Sequence, residues 1–100
     1  MAYRVNFSRS ARSDINESVR YISTDDRIQA FRFAMFLVQQ ALSLGQFPER
    51  GRVVPESTSG SFREIIVRAY RIVYRVNHRN QTVEIIRFWH AGRATPELFE

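Results

Sequence analysis

The residues of this chain that can carry chemistry gather in its last third. The stretch YRIVYRVNHRNQTVEIIRFWHAGR, residues 70–93, predicts a hairpin of two strands. Cations recur among its apolar and aromatic side chains: Arg71, Arg75, Arg87, His90 and Arg93. Arginine presents a planar fork of N–H donors that matches carboxylates and phosphates. Such a surface either faces water or binds a negatively charged partner.

One acid–base set can be assembled from these residues and their predicted neighbours. The imidazole of His90 can transfer a proton near neutral pH, and Glu56, in a predicted loop, can act as a second base. Arg63 and Arg71 can stabilise a pentavalent phosphate. Together they would suit metal-free RNA cleavage through attack of the 2′-OH. A structural histidine and a solvated loop carboxylate are the commoner roles of such residues, and both stay open.

Other kinds of catalytic site find no support in the sequence. Cysteine is absent, and two histidines are too few to suggest a metal cluster. The chain lacks the glycine-rich phosphate loops GxxxxGK[ST] and GxGxxG, the HExxH metal motif and the GxSxG nucleophile elbow. We therefore expect no metal and no cofactor.

Size and charge narrow the class of protein. One hundred residues predict a single domain, residues 1–100, with one modest core. The formal net charge is +5, and all 15 basic residues are arginine. Residues 50–93 hold nine arginines against three acids, a local charge of +6, which suggests a polyanion or an acidic protein as partner. No apolar run long enough to span a membrane and no secretory signal is visible, so we expect no membrane contact and a cytoplasmic location.

Periodicity predicts one strand and two helices in the first half. Residues 2–7 alternate as a strand, and Ser8 is a plausible N-cap for a helix with one apolar stripe. Residues 23–26 suit the start of a second helix. The second helix carries a stripe of Phe31, Met35, Val38 and Leu42, widened by other apolar residues. We expect this helix to be largely buried or to offer an apolar face to a partner.

The second half predicts a loop and three strands. Residues 45–61 hold three of the four glycines and predict a loop that is functional or mobile. Three antiparallel strands follow, which gives the α+β order β-α-α-β-β-β, with the helical hairpin packed on one face of an antiparallel sheet. Alternation places Arg71 and Arg75 on one strand face, whereas Arg87 and Trp89 are predicted to share a face with Val83. The cations can therefore sit on the face that the helices leave uncovered, or simply be paired by Glu64 and Glu84 on a solvated face.

Three segments resemble a known family. FPERGR after a helical hairpin, then FREIIVRAYRIVYRV, then VEIIRFWHAGR are similar to the ParE/RelE superfamily of toxins from type II toxin–antitoxin systems. The resemblance covers nearly the whole chain in element order and is strongest over residues 47–93. It implies the same compact β-α-α-β-β-β fold.

The resemblance also implies partners. It implies a toxin held inactive in a hetero-oligomer by a cognate antitoxin, ParD-like and acidic, whose C-terminal segment folds on binding. The apolar stripe of the second helix, with Phe31, Met35, Val38 and Leu42, is the expected docking surface for the antitoxin.

The target differs between the two branches of the superfamily. ParE-like members inhibit DNA gyrase by stalling it on cleaved DNA, and the FPERGR and HAGR segments resemble that branch more closely. RelE-like members cleave mRNA on the ribosome, which would make His90 the general acid, with Glu56 assisting and Arg63 and Arg71 on the phosphate. We favour the gyrase inhibitor, which is not an enzyme. A family member that has lost its toxicity is a third possibility.

Charge and exposure alone suggest which residues would contact the target. Under the gyrase interpretation, the target-binding residues are expected among Arg71, Arg75, Arg87 and Arg93.

Overall fold

The computed structural model of the chain describes residues 2–22, 26–94 and 98. The helices are α1, Arg9–Ile22, and α2, Arg27–Leu42, which is followed by a 3-10 turn, Ser43–Gly45. The strands are β1, Arg4–Phe7; β2, Arg52–Val53; β3, Phe62–Val67; β4, Tyr70–Asn77; and β5, Thr82–His90. Among the described residues, none of the helices has both the length and the apolar character needed to cross a membrane.

The five strands form one sheet in the order β1-β5-β4-β3-β2. The α+β class is confirmed, and so is the β-α-α-β-β-β order, except that the two-residue strand β2 precedes the last three strands. The sheet is mixed rather than antiparallel, because β1 runs parallel to β5. The rule that predicted antiparallel pairing holds only for strands joined by short turns, as β3, β4 and β5 are. β1 is joined to the sheet through the helices, so the rule does not constrain its direction.

The segment predicted as a loop contains ordered structure. Arg52 and Val53 pair with Glu64 and Arg63 as a two-residue edge strand. The 3-10 turn Ser43–Gly45 also extends the helical hairpin into this segment. The expectation of an unstructured loop over residues 45–61 is therefore wrong for these parts.

Side-chain caps fix where the helices begin. Ser8 Oγ accepts a hydrogen bond from the Ala11 amide at 3.0 Å and donates one to the Ile86 carbonyl at 2.7 Å, which ties the start of α1 to β5. The Asp26 carboxylate accepts from the Ile28 and Gln29 amides, both at 3.1 Å. Both N-caps lie where the sequence placed them, although residues 23–25 of the predicted second cap lie outside the described residues.

The structure decides between the two alternatives predicted for α2. Its buried residues are Ala30, Ala34, Leu37 and Ala41. Phe31 is 61% exposed and Met35 41%, so the helix is not largely buried and instead presents the predicted stripe as an exposed apolar face. Apolar residues occupy most sides of α2, so periodicity alone could not select its inner face. The alanines let the helix lie close to the core.

A bulge in β5 reverses the predicted facing of its last residues. Val73 pairs with Arg87 while Tyr74 pairs with Ile85, so Ile86 is an extra residue. Beyond it, Phe88 joins the core beneath the helices with Ile85. The prediction that Arg87 and Trp89 share a face with Val83 is therefore wrong, because one inserted residue shifts the alternation by one.

Candidate functional site

The sheet has one face turned away from the helices, which we call the open face. It carries Phe62, Glu64, Ile66, Arg71, Val73, Arg75, Glu84, Ile86, Arg87 and Trp89. Charged and apolar side chains are mixed on it. A small second core of Val54, Phe62 and Val73 lies on this face, with Ile86 packed against it.

A chain of alternating charges crosses the open face. Glu64 is 1% exposed and accepts hydrogen bonds from Arg52 Nε at 2.8 Å and from Arg71 Nε at 2.5 Å. Arg71 continues the chain through its two terminal nitrogens, which donate to both Glu56 oxygens at 2.9 and 2.8 Å. The charges of two arginines and two glutamates thus neutralise one another. The contacts of Glu56 hold residues 54–57 against the sheet.

These ion pairs shift the pKa of both partners. The hydrogen bonds from Arg71 lower the pKa of Glu56 below its ordinary 4.5, although partial burial opposes the shift. The bonds to Glu56, and after them those to Glu64, raise the pKa of Arg71, again against the effect of burial. Three of its five N–H donors are bound by two carboxylates, which also neutralise its charge, so Arg71 is poorly placed to bind a phosphate.

Because Glu56 pairs with Arg71, we expect Glu56→Gln to lower the free energy of unfolding by an amount that depends on pH. Because the folded-state pKa is lowered, the stabilisation is complete above the unfolded value of 4.5 and is lost as the pH falls through the folded value. Urea unfolding of both proteins should therefore show the variant to be less stable near neutral pH, with the difference vanishing in acid. A difference that grows as the pH falls would contradict this pairing.

A second carboxylate, which the sequence analysis missed, lies at the edge of β5. Asp14, on α1, is 7% exposed and accepts from Arg87 Nε at 2.7 Å, Arg87 Nη2 at 2.8 Å and the Phe88 amide at 3.0 Å. β1 ends opposite Ile85, so it does not pair with Phe88. The Asp14 carboxylate therefore accepts the hydrogen bond of a Phe88 amide that has no neighbouring strand on that side. The sequence contained a signal for this contact, because Asp14 is an acid three residues after Ala11, on the side of α1 that was predicted to face the core.

Two arginines lie over the indole ring of Trp89. The guanidinium carbon of Arg87 is 4.6 Å from the ring centroid, and that of Arg93 is 4.2 Å from it. The indole N–H donates to the Ala94 carbonyl at 2.7 Å, which fixes the ring. The Asp14 hydrogen bonds raise the pKa of Arg87, which therefore remains a permanently charged, paired side chain.

The four predicted target-binding arginines differ in availability. Arg71 and Arg87 are held by carboxylates, with side chains 14% and 23% exposed. Arg75 makes one longer contact with Glu84, at 3.4 Å, and its side chain is 43% exposed. Arg93 is exposed beside Trp89. The structure thus agrees in large part with the alternative prediction, in which Glu64 and Glu84 pair with the arginines of the open face.

The four residues of the nuclease hypothesis do not converge. Glu56 and Arg71 meet on the open face. Arg63 pairs in register with Tyr74, on the opposite face, and its Nη1 donates to the Gly51 carbonyl at 2.8 Å. His90 also leaves the open face, because it pairs in register with Tyr70.

His90 has structural contacts of its own. Its ring and the Tyr70 ring meet at nearly a right angle, with centroids 5.3 Å apart, and its Nδ1 accepts from the Gly92 amide at 3.0 Å. It borders a cleft of about 290 Å³ between α1 and the end of β5, lined also by Asp14 and Ser18. Among the residues that the structure describes, no group of three or more His, Cys, Asp or Glu side chains is placed to hold a metal ion.

The predicted antitoxin-binding residues form an apolar strip along the exterior of α2. We call it the outer α2 surface; its members are Ile28, Phe31, Met35, Val38 and Leu42. Ile28 is 66% exposed and Leu42 47%, and Val38 is half-buried. Large apolar side chains grouped in this way on a monomer usually mark an interaction site.

Comparison with known proteins gives consistent matches. The model of the family described as "ParE toxin of type II toxin-antitoxin system, parDE" matches residues 5–95. No curated protein sequence matches the chain significantly.

Solved structures match over almost the entire chain. A chain of the RelBE2 toxin–antitoxin complex from Mycobacterium tuberculosis is 24% identical, with a TM-score of 0.70, over 90% of this chain and 99% of that one. A chain of the chromosomal ParDE system from P. aeruginosa is 18% identical, with a TM-score of 0.73, over 89% and 96%. A chain of the intact E. coli RelBE complex is 21% identical, with a TM-score of 0.57, over 92% and 100%. At these identities the structural likeness shows the fold alone.

Proposed function

The chain belongs to the ParE toxin family of type II toxin–antitoxin systems, and we propose that it stops growth by binding DNA gyrase and stalling it on cleaved DNA. Under this proposal the chain acts through binding and is not itself an enzyme. A cognate antitoxin, encoded beside it, would keep it inactive.

The observation that carries this proposal is the separation of the nuclease candidates. Metal-free RNA cleavage needs an acid or base and a phosphate-binding cation at one scissile bond. Here His90 packs against Tyr70 on the helix side of the sheet, whereas Arg71 is paired with Glu56 and Glu64 on the other side. Arg63 is engaged by a backbone carbonyl. This arrangement favours a binding protein over a ribosome-dependent endonuclease, which remains the alternative.

The outer α2 surface supports an antitoxin as partner. Matching structures from M. tuberculosis and E. coli are toxin–antitoxin complexes. An amphipathic antitoxin helix laid against Phe31 and Met35 would bury the largest exposed apolar strip on α2. An acidic segment would also suit the net charge of +5.

Exchange of His90 for alanine separates the two candidate functions. We expect His90→Ala to arrest growth as strongly as the wild-type chain when expressed without antitoxin, because the contacts of His90 with the Tyr70 ring and the Gly92 amide are structural. If His90 were a general acid, its removal would lower the rate of RNA cleavage, and with it the toxicity, by about 10²- to 10⁴-fold. Growth curves after induction, with mapping of mRNA 5′ ends, provide the measurement.

His78→Ala is the matched control, because His78 is the other histidine and lies in the β4–β5 turn. Loss of toxicity in His90→Ala but not in His78→Ala, together with loss of codon-specific mRNA cuts, would establish the endonuclease. A wild-type chain that leaves growth unaffected would indicate a family member without toxicity.

A further inference from the structure

The exposed side of α1 carries a group of arginines, of which Arg9 and Arg12 have no carboxylate partner in the part of the chain that the structure describes. Arg9, Arg12, Asn16 and Arg20 recur at the three- and four-residue spacings of one helical side, and all are exposed. We call this side, with Ser13, the α1 arginine face. In this pairing Arg9 and Arg12 differ from the arginines of the open face, which carboxylates hold.

Helix stability does not explain this placement. The first turn of α1 contains no acid, so Arg9 faces the positive end of the helix dipole without compensation. Arg9 and Arg12 are three residues apart, where like charges repel. Since both features work against the helix, a binding role accounts better for a cluster of arginines at this location.

The composition of the α1 arginine face suits a nucleic-acid backbone rather than a protein. Arginine is common in protein interfaces too, but there it accompanies a core of apolar or aromatic anchors, such as those of the outer α2 surface. Between Arg9 and Arg20, α1 exposes no large apolar side chain. Its groove of about 330 Å³ is lined instead by Arg9, Arg12, Ser13, Asn16, Glu17 and Arg20. Arginine, serine and asparagine are the side chains that contact phosphates, and Glu17 is the one carboxylate among these lining residues.

The geometry of this face favours a duplex. Arg9 to Arg20 covers about 16 Å of a straight helix, at 1.5 Å per residue, which presents its charges as a rigid row. Single strands are usually bound on aromatic stacking platforms, which this row does not offer. We propose that the α1 arginine face binds the phosphate backbone of double-stranded DNA. The choice of DNA over RNA rests on the proposed function, in which the target enzyme is held on cleaved DNA.

Fluorescence anisotropy of a labelled DNA duplex of about 20 base pairs, roughly two helical turns, tests the proposal directly. The test variant is Arg9→Gln with Arg12→Gln. The matched control is Arg27→Gln with Arg32→Gln, which removes the same charge from exposed positions of α2. We expect the α1 variant to bind about tenfold more weakly or worse and its salt slope to fall by about 2, because two phosphate contacts are lost. The control should keep the wild-type salt slope.

Several results would overturn the proposal, and none of them requires gyrase. They are the absence of duplex binding by the wild-type chain at low salt, an equal loss in both variants, and equal or tighter binding of an RNA duplex of the same sequence. A loss of antitoxin binding in the α1 variant, with DNA binding intact, would assign the face to the antitoxin instead. Gyrase inhibition without any duplex binding would remove this inference and leave the proposed function standing.

Thermal unfolding provides the folding control. All four substituted arginines are exposed, so the melting temperatures of the two variants should stay close to that of the wild-type chain. A selective loss of DNA binding at an unchanged melting temperature would therefore report on the surface and not on misfolding.

Discussion

Replacement of Asp14 by alanine is expected to lower the free energy of unfolding by about 3–4 kcal/mol, a large part of the total for a domain of this size. Asp14 receives two donors of Arg87 and the Phe88 amide, and it is 7% exposed. Without it, the amide loses its acceptor and Arg87, whose side chain is 23% exposed, loses its counter-charge. The loss is due to the partners left behind, because breaking one half of a buried pair costs more than the pair contributes.

Urea unfolding of the purified variants measures this effect. Glu17→Ala is the matched control, since Glu17 is an exposed acid on the same helix, and its removal should change the free energy by no more than about 0.5 kcal/mol. Asp14→Asn should lie between the two, because an amide oxygen can still accept from Phe88. A loss below about 1 kcal/mol in Asp14→Ala would show that the Asp14 contacts do not hold α1 against β5.

The second large effect concerns antitoxin binding. Phe31→Asp is expected to weaken binding of the cognate antitoxin by about 100-fold or more, because it places a charge in the centre of the outer α2 surface and removes an aromatic anchor. Its stability should change little, since Phe31 is already 61% exposed. Titration calorimetry with the cognate antitoxin gives the affinity directly.

Phe47→Asp is a closely matched control for that experiment. Phe47 is also 61% exposed but lies beyond the 3-10 turn, off the outer α2 surface. It should retain antitoxin affinity within a few-fold. Equal weakening by both variants would mean that the antitoxin binds exposed apolar residues generally, and unchanged affinity in Phe31→Asp would place the antitoxin elsewhere.

Local patterns predicted the elements of the fold well. Ser8 and Asp26 were recognisable as helix caps, and the alternation in β3 and β4 assigned the open face correctly for Arg71 and Arg75. These features depend on residues within one turn or one strand. Periodicity predicted the element order, with which the family resemblance agreed, and the structure adds only the two-residue β2 to it.

Features that depend on tertiary contacts were not predictable. The bulge at Ile86 leaves no local signature, yet it reverses the facing of Arg87 and Trp89. The inner side of α2 was ambiguous because the helix is apolar on most sides, and the packing of its alanines decided the question.

The sequence also could not predict which arginines are paired with carboxylates. Counting charges by segment placed the excess of arginine in the second half, but Asp14, 73 positions from Arg87, neutralises one of those arginines. Glu64 serves two more, Arg52 and Arg71. The contrast between the exposed arginines of α1 and the paired arginines of the open face therefore depends on contacts that only the structure shows.

The central claim is that this toxin acts on gyrase, and a supercoiling assay tests it most directly. Purified chain would be added to gyrase, ATP and relaxed plasmid, and both lost supercoiling and linearised DNA would be scored. We predict dose-dependent inhibition with trapped cleavage, equal for the wild-type chain and His90→Ala and reversed by the antitoxin. Intact supercoiling at high excess of a preparation that still arrests growth would contradict the claim and direct the search to the ribosome.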